Sequence, residues 1–139
     1  MERVPDERLE YTDDALYLLD GKPFTGISCF VDRAGRLTGE HEYRDGVRAG
    51  WSRGWFGPGV PEYEEHFEHG LVHGARREWY RGGGLATDEA YEYGIRVRGR
   101  RWAEDGTLIE DFSLSEADPD HDTLVMYRAA YKRAGHDTE

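Results

Sequence analysis

The sequence predicts a mainly β protein: an antiparallel meander of about four 24-residue β-hairpin units with a capping α-helix at the C-terminus. Three observations carry that expectation. Asp45-Gly46, His69-Gly70 and Tyr93-Gly94 recur at a fixed interval, each followed by an apolar residue (Val47, Leu71, Ile95). Gly50 and Gly74, Trp55 and Trp79, Gly59 and Gly83, and Phe67 and Tyr91 keep the same interval of 24. Between the glycines, apolar and aromatic residues alternate with polar ones, which is the period of a strand. A repeat of this kind has to be found first, because it decides the fold.

In chain order, residues 1–19 read as an N-terminal strand and cap, with Leu16, Tyr17, Leu18 and Leu19 as a buried strand behind an acid-rich start. Residues 20–114 carry the hairpin units. Asp20-Gly21 opens the series with one extra residue, Gly35 and Tyr43 precede Gly59 and Phe67 by 24, and Trp102 and Gly106 continue it with one residue lost. Asp-Gly supplies the positive φ of a type I′ hairpin turn. Folding each hairpin about Gly59 or Gly83 pairs Trp55 with Tyr63, Trp51 with Phe67 and Ala75 with Tyr91. It sets Arg53 opposite Glu65 and Arg77 opposite Glu89, and opposite charges across a pair contribute roughly 0.2–1 kcal/mol. Trp51, Arg53, Trp55, Tyr63, Glu65 and Phe67 then fall on a packed face, and Glu62, Glu64, His66 and Glu68 on a wet one. Residues 115–139 change character. Asp118-Pro119 is an N-cap before a proline at the first helical position. Leu124, Tyr127, Tyr131 and Ala134 follow at helical spacing, acids precede bases, and Gly135 is a stop, so a helix is expected over about 119–134. Its expected role is to cap the open end of the sheet, with a partner-binding helix as the alternative. The whole chain, 1–139, reads as one domain.

Composition narrows the function. With 29 acidic and 18 basic residues the formal charge is -11, which repels phosphate backbones and anionic lipids, so nucleic acid and membrane are poor partners. A mean hydropathy of -0.85 leans toward disorder, but four Trp, nine Tyr and five Phe argue for a folded domain. No apolar run approaches the roughly 20 residues that span a bilayer, and Met-Glu-Arg-Val-Pro is unlike a signal peptide, so a cytoplasmic protein is expected. One cysteine, Cys29, leaves no internal disulfide framework.

The repeating form is Asp-Gly, apolar residue, Gly, an aromatic strand ending in Trp-Tyr, Gly, and Glu-x-Tyr. It reads Gly70-Leu71-Val72-His73-Gly74, Arg77-Glu78-Trp79-Tyr80, Gly83 and Glu89-Ala90-Tyr91. The unit before reads Gly46-Val47, Gly50, Trp55-Phe56, Gly59 and Glu65-His66-Phe67, and Gly21-Lys22-Pro23-Phe24-Thr25-Gly26-Ile27 looks like an opening unit. These residues resemble MORN-type repeats, and more closely the variant in bacterial YwqK-type antitoxins, over about 95 of 139 residues. Gly54 inside a strand and Gly-Pro-Gly at 57–59 depart from the pattern. The resemblance implies an extended sheet of hairpins without catalysis or cofactor, acting through protein contacts to neutralise a toxin encoded nearby.

His66, His69 and His73 have a spacing that invites a zinc site. The repeat assigns His69 to the turn position of Asp45 and Tyr93, and three ligands must converge within roughly 2 Å of one ion, so no metal is expected. Glu64 and Glu65 point to opposite faces. Gly82-Gly83-Gly84 is a turn, and no nucleophile elbow, phosphate loop or dinucleotide fingerprint is present. The candidate partner-binding residues are the wet-face acids Glu40, Glu42, Glu62, Glu64, Glu68, Asp88 and Glu92, with Phe56 and Tyr80 as aromatic anchors. Such a face either keeps the sheet soluble or meets a basic protein toxin. The alternative is a scaffolding module that self-associates, and a homodimer is compatible with it. A hydrolase with its site at Glu65 or Glu89 ranks last.

Overall fold

The structure is a computed structural model and describes residues 1–134; the expected stop at Gly135 lies outside the described residues. Strands β1 (Arg3–Pro5), β2 (Leu9–Tyr11), β3 (Tyr17–Leu19), β4 (Lys22–Pro23), β5 (Gly26–Val31) and β6 (Leu37–Arg44) come first. They are followed by β7 (Val47–Gly57), β8 (Val60–Glu68), β9 (Leu71–Trp79), β10 (Leu85–Glu92), β11 (Ile95–Trp102) and β12 (Leu108–Ser113). Helix α1 spans Pro119–Arg133. The protein is mainly β: β5 to β12 form an antiparallel meander in chain order, β1 adds to β5 in parallel, and the result is a nine-stranded sheet. Strands β2, β3 and β4 make a separate three-stranded sheet.

The tight turns lie at one end of the meander. Asp45 and Gly46 have φ of 51° and 84°, His69 and Gly70 53° and 79°, and Tyr93 and Gly94 50° and 81°; left-handed backbone at both central residues is what a type I′ turn requires. Successive turns are hydrogen-bonded across one hairpin. Gly46 N–H donates to the Phe24 carbonyl (2.8 Å), Gly70 to Arg48 (3.0 Å) and Gly94 to Val72 (2.8 Å), so donors and acceptors both advance by 24 residues. The preceding turn N–H also finds a partner: Asp45 donates to Thr25 Oγ1 (2.8 Å) and Tyr93 to His73 Nδ1 (3.0 Å). Thr25 and His73 are two intervals apart and do the same work.

The register differs from the expected one by a single residue. Arg53 lies opposite Glu64 and Ser52 opposite Glu65; Arg77 lies opposite Asp88, and Arg76 opposite Glu89. Trp51 faces His66 rather than Phe67, Gly50 faces Phe67, and Gly54, not Trp55, faces Tyr63. Ala75 faces Ala90, and Tyr91 faces Gly74. The cause is turn geometry. The first hairpin closes through Pro58-Gly59 between paired Gly57 and Val60, so its axis falls between residues instead of on Gly59. A shift of one residue moves every side chain of a strand to the other face. Trp51 and Arg53 therefore share a face with Glu64 and His66, and Ser52 and Gly54 share one with Tyr63, Glu65 and Phe67.

The expected packed aromatic face is replaced by two small apolar clusters outside the centre of the sheet. Val4, Phe24 and Tyr43 are buried together beneath Leu9, Tyr17 and Leu19, with the Tyr17 ring 4.8 Å from Tyr43. Strand β3 thus forms where the sequence places it, but it is half-buried and belongs to the small sheet. At the other end Leu124 of α1 is fully buried, which stabilises its docking by roughly 1.5–3 kcal/mol, and Tyr93 stacks on Tyr131 at 4.4 Å. The helix begins at Pro119 as expected, although the Asp118 carboxylate accepts from Ser115 N–H (2.9 Å) and makes no cap bond to the helix. It contacts Glu92, Tyr93 and His69, along the turns. The helix thus lies against the tight turns, and β12 is the last strand of the sheet order. Aromatic residues at two successive tight turns offer the helix a surface that the edge strand does not.

Candidate functional site

Paired residues of neighbouring strands project from the same face, so the register defines two rows across the sheet. One row reads Glu40, Arg53, Glu64, Arg77, Asp88, Arg100 and Asp111 from β6 to β12. The signs alternate at every step, and this side is called the ladder face. Arg77 is its hinge, donating from Nη1 to Glu64 (2.8 Å) and from Nε to Asp88 (3.1 Å). Arg3 pairs with Glu40, and Arg100 reaches Asp111 at 3.5 Å.

The row one residue along, on the other side, reads Ser28, His41, Ser52, Glu65, Arg76, Glu89, Gly99 and Phe112. Here Arg76 donates to Glu65 (3.1 Å) and Glu89 (2.8 Å), while Arg96 donates to the other oxygen of Glu89 (3.0 Å) and to Glu110 (3.0 Å). Glu89 is 6% exposed and is held between the two guanidinium groups. Burial works against the charge on Arg76, but Glu89, Glu78 and Glu65 outweigh it and raise its pKa. The hydrogen bond from Arg96 lowers the pKa of Glu110. This side is called the network face. His41 lies in the same row; burial, with the charge of Arg48, pushes its pKa down to about 4, so the ring is neutral at pH 7.

The residues expected to bind a partner divide into groups. Glu40, Glu64 and Asp88 come together in the ladder, each against an arginine of the same chain. Glu68 and Glu92 sit at the tight-turn end, Glu68 at 3.2 Å from His73 Nε2 and Glu92 held by Arg128 of α1 at 2.6 Å. Glu42 folds over Gly50 and accepts from Trp51 N–H (3.3 Å). Glu62 is exposed. Phe56 carries the Arg81 guanidinium at 4.6 Å, and the Tyr80 hydroxyl donates to the Trp102 carbonyl (2.9 Å). The acidic surface with free aromatic anchors is therefore, at its centre, an alternating ladder whose anchors already serve the fold.

The three histidines have separate tasks. His66 Nδ1 lies 2.9 Å from the His73 carbonyl, so it is the protonated nitrogen. His73 Nδ1 accepts from Tyr93, and His69 stacks on Tyr131 at 5.3 Å. Among the described residues no group of three or more His, Cys, Asp or Glu side chains has a metal-binding arrangement. Glu65 and Glu89, the residues of the hydrolase alternative, both face Arg76.

Sequence reasoning did not single out Arg76, Arg96 or His41. The doubled pair Arg76-Arg77 was the available signal, since adjacent arginines in a strand must serve both faces. The fold places the protein in a broad class, large antiparallel meanders with one helix near the C-terminus. No protein-family model, curated protein or solved structure matches the chain. Among the described residues no helix is long and apolar enough to cross a membrane.

Proposed function

We propose that this chain is a MORN-type repeat protein of about four 24-residue units, similar to YwqK-type antitoxins, and that it neutralises a basic protein toxin by direct contact in the cytoplasm, without catalysis. The turn hydrogen bonds that advance by 24 residues support the repeat. The observation that carries the binding reading is the ladder face. Its acids Glu64 and Asp88 are paired only in partly exposed contacts, where an ion pair contributes about 0–1 kcal/mol, so arginines from a partner can displace Arg77 with little loss. A net charge of -11 speeds the encounter with a basic surface.

The test is growth rescue. The product of the adjacent gene is expressed in a bacterial host with and without this chain; toxicity relieved only by the chain supports the reading, and a harmless neighbour removes it. With the toxin in hand, reversing Glu62, Glu64 and Glu68 to Lys should weaken binding at low salt, and unchanged affinity would exclude this face. A second reading is a self-associating scaffold, favoured by the position of β12 as the terminal strand, with Leu108 and Ile109 exposed on it. Light scattering across concentration separates the two, because only the scaffold grows in mass without a partner.

A further inference from the structure

This chain repeatedly stacks its own arginines on its own aromatic rings. Arg48 lies over Phe67 at 4.3 Å and reaches Tyr43 at 5.9 Å. Arg53 covers Trp51 at 4.8 Å, Arg81 covers Phe56 at 4.6 Å, and Arg96 covers Phe112 at 4.1 Å. One further aromatic group differs. Phe30, His41, Trp55 and Tyr63 line a single open cleft of about 330 Å³, and among the described residues no arginine lies over Phe30, Trp55 or Tyr63.

The cleft follows from the register of β5 to β8. Phe30, Gly39, Gly54 and Tyr63 are successive partners across these four strands. Gly54 makes room for one ring, since a Cβ there would clash with Tyr63, while a Cβ on Gly39 would meet Phe30 Cδ2 at 3.4 Å, an ordinary contact. The two rings therefore lean toward one another over a floor that has no side chains. His41 joins them, its ring 4.9 Å from Phe30 and its Nε2 3.2 Å from the Tyr63 hydroxyl. The one charged residue of the lining is Glu62, which is exposed. Burial and Arg48 push the His41 pKa to about 4, so that imidazole is neutral at pH 7; the charge of Arg48, which also bears on Tyr63, lies outside the lining.

We propose that this cleft is a subsite for the guanidinium of an arginine side chain presented by a protein partner. Flat ring faces attract a cation through their negative quadrupole, and a carboxylate nearby supplies the countercharge. The planar guanidinium suits the site better than an ammonium, since it stacks on a ring and can still donate two parallel hydrogen bonds to one carboxylate such as Glu62. The internal stackings show which side chain this surface chemistry accepts. The cleft opens on the network side, opposite the ladder, so the subsite goes beyond the ladder-face contact and rests on the partner-binding reading only for the protein that donates the arginine.

The probe is the side chain itself. Titration of the ¹⁵N-labelled full chain with N-acetyl-arginine amide should shift the Trp55 indole N–H and the Tyr63 amide. N-acetyl-citrulline amide, which has nearly the same shape without the charge, should bind roughly three- to tenfold more weakly. Glu62→Gln lies at an exposed position and should lower the arginine affinity while leaving the spectrum elsewhere unchanged. Tyr63→Leu should abolish the Trp55 shift, with dispersed amide signals showing that the variant is folded. Equal binding of arginine and citrulline would make the cleft merely apolar and overturn the proposal, as would the absence of any shift at Trp55 and Tyr63. Either failure removes the subsite and leaves growth rescue to decide whether a toxin is bound.

Discussion

Two ion-paired rows lie back to back across β8, β9 and β10, built from adjacent residues of the same kinds. On the ladder face Arg77 joins Glu64 to Asp88; on the network face Arg76 joins Glu65 to Glu89. The connectivity is identical, a β9 arginine bridging a β8 acid and a β10 acid. Burial is not: the Asp88 side chain is 45% exposed, while that of Glu89 is 5% exposed. Glu89 has consequently taken a second guanidinium, from Arg96, to compensate its desolvation. The contrast teaches that the weight of a charge pair is set by what covers it, so one β-sheet can hold a structural row and an exchangeable row a single residue apart.

The comparison breaks most visibly at Glu89. Glu89→Ala leaves Arg76 and Arg96 without their shared carboxylate, and removing one partner from a buried pair costs about 3–5 kcal/mol. Urea unfolding of this variant should show the largest loss of any single change in either row. A loss below about 1 kcal/mol would mean that the network face is as solvated as the ladder.

The same pair of rows explains what could be read from the sequence. Turn positions were legible because left-handed backbone selects Gly46, Gly70 and Gly94 at a constant interval, and the helix was legible from Asp118-Pro119 and the spacing of Leu124, Tyr127 and Tyr131. Register was not. Pro58-Gly59 closes one hairpin with two residues, whereas Tyr80 to Gly84 close the next through a wider turn in which Tyr80 N–H donates to the Gly84 carbonyl (2.8 Å). Charge pairing could not arbitrate either, since Glu64-Glu65, Arg76-Arg77 and Asp88-Glu89 are doubled and offer a charge partner in both registers. The cleft formed by Phe30, Trp55 and Tyr63 was hidden for a related reason, because Gly54 rather than Trp55 faces Tyr63 only in the observed register.

A second test sharpens the network face through pH. The folded pKa of His41 is about 4, below its ordinary value of 6.5. The unfolded chain therefore takes up a proton first as the pH falls, so this contribution is fully present above 6.5 and is lost progressively down to about 4. The loss should be of the order of 2 kcal/mol, allowing for partial exposure of the ring. His41→Gln should flatten the stability profile over that window relative to the parent protein. Parallel profiles for the two would place the imidazole in water.

Glu92 and Arg128 provide an intermediate case at the turn end. The hydrogen bond from Arg128 holds the Glu92 pKa below its ordinary value, so the pair contributes above the normal carboxylate range and is lost as the pH falls beneath it. Arg128→Ala should destabilise the chain by about 0.5–1 kcal/mol, since both groups are partly exposed and Leu124 still anchors the helix. Amide exchange should quicken in α1 before it does in β9 or β10. Uniform quickening would instead make the helix part of the global folding unit.

The smallest effect belongs to the ladder. Asp88→Ala should cost under about 1 kcal/mol, and the difference from the parent should shrink in high salt, because exposed pairs are screened. A loss comparable to that of Glu89→Ala would erase the distinction between the faces. The expected weakness has a functional consequence. If Arg77 gains little from Glu64 and Asp88, a basic partner that takes over those carboxylates displaces an internal contact of low value and leaves the network beneath it intact. The row that contributes least to stability is thus the one able to exchange its partners without unfolding the sheet. Asp88→Ala, nearly silent in urea, should then weaken toxin binding measurably at low salt, and equal affinity of variant and parent would move the interface off the ladder face.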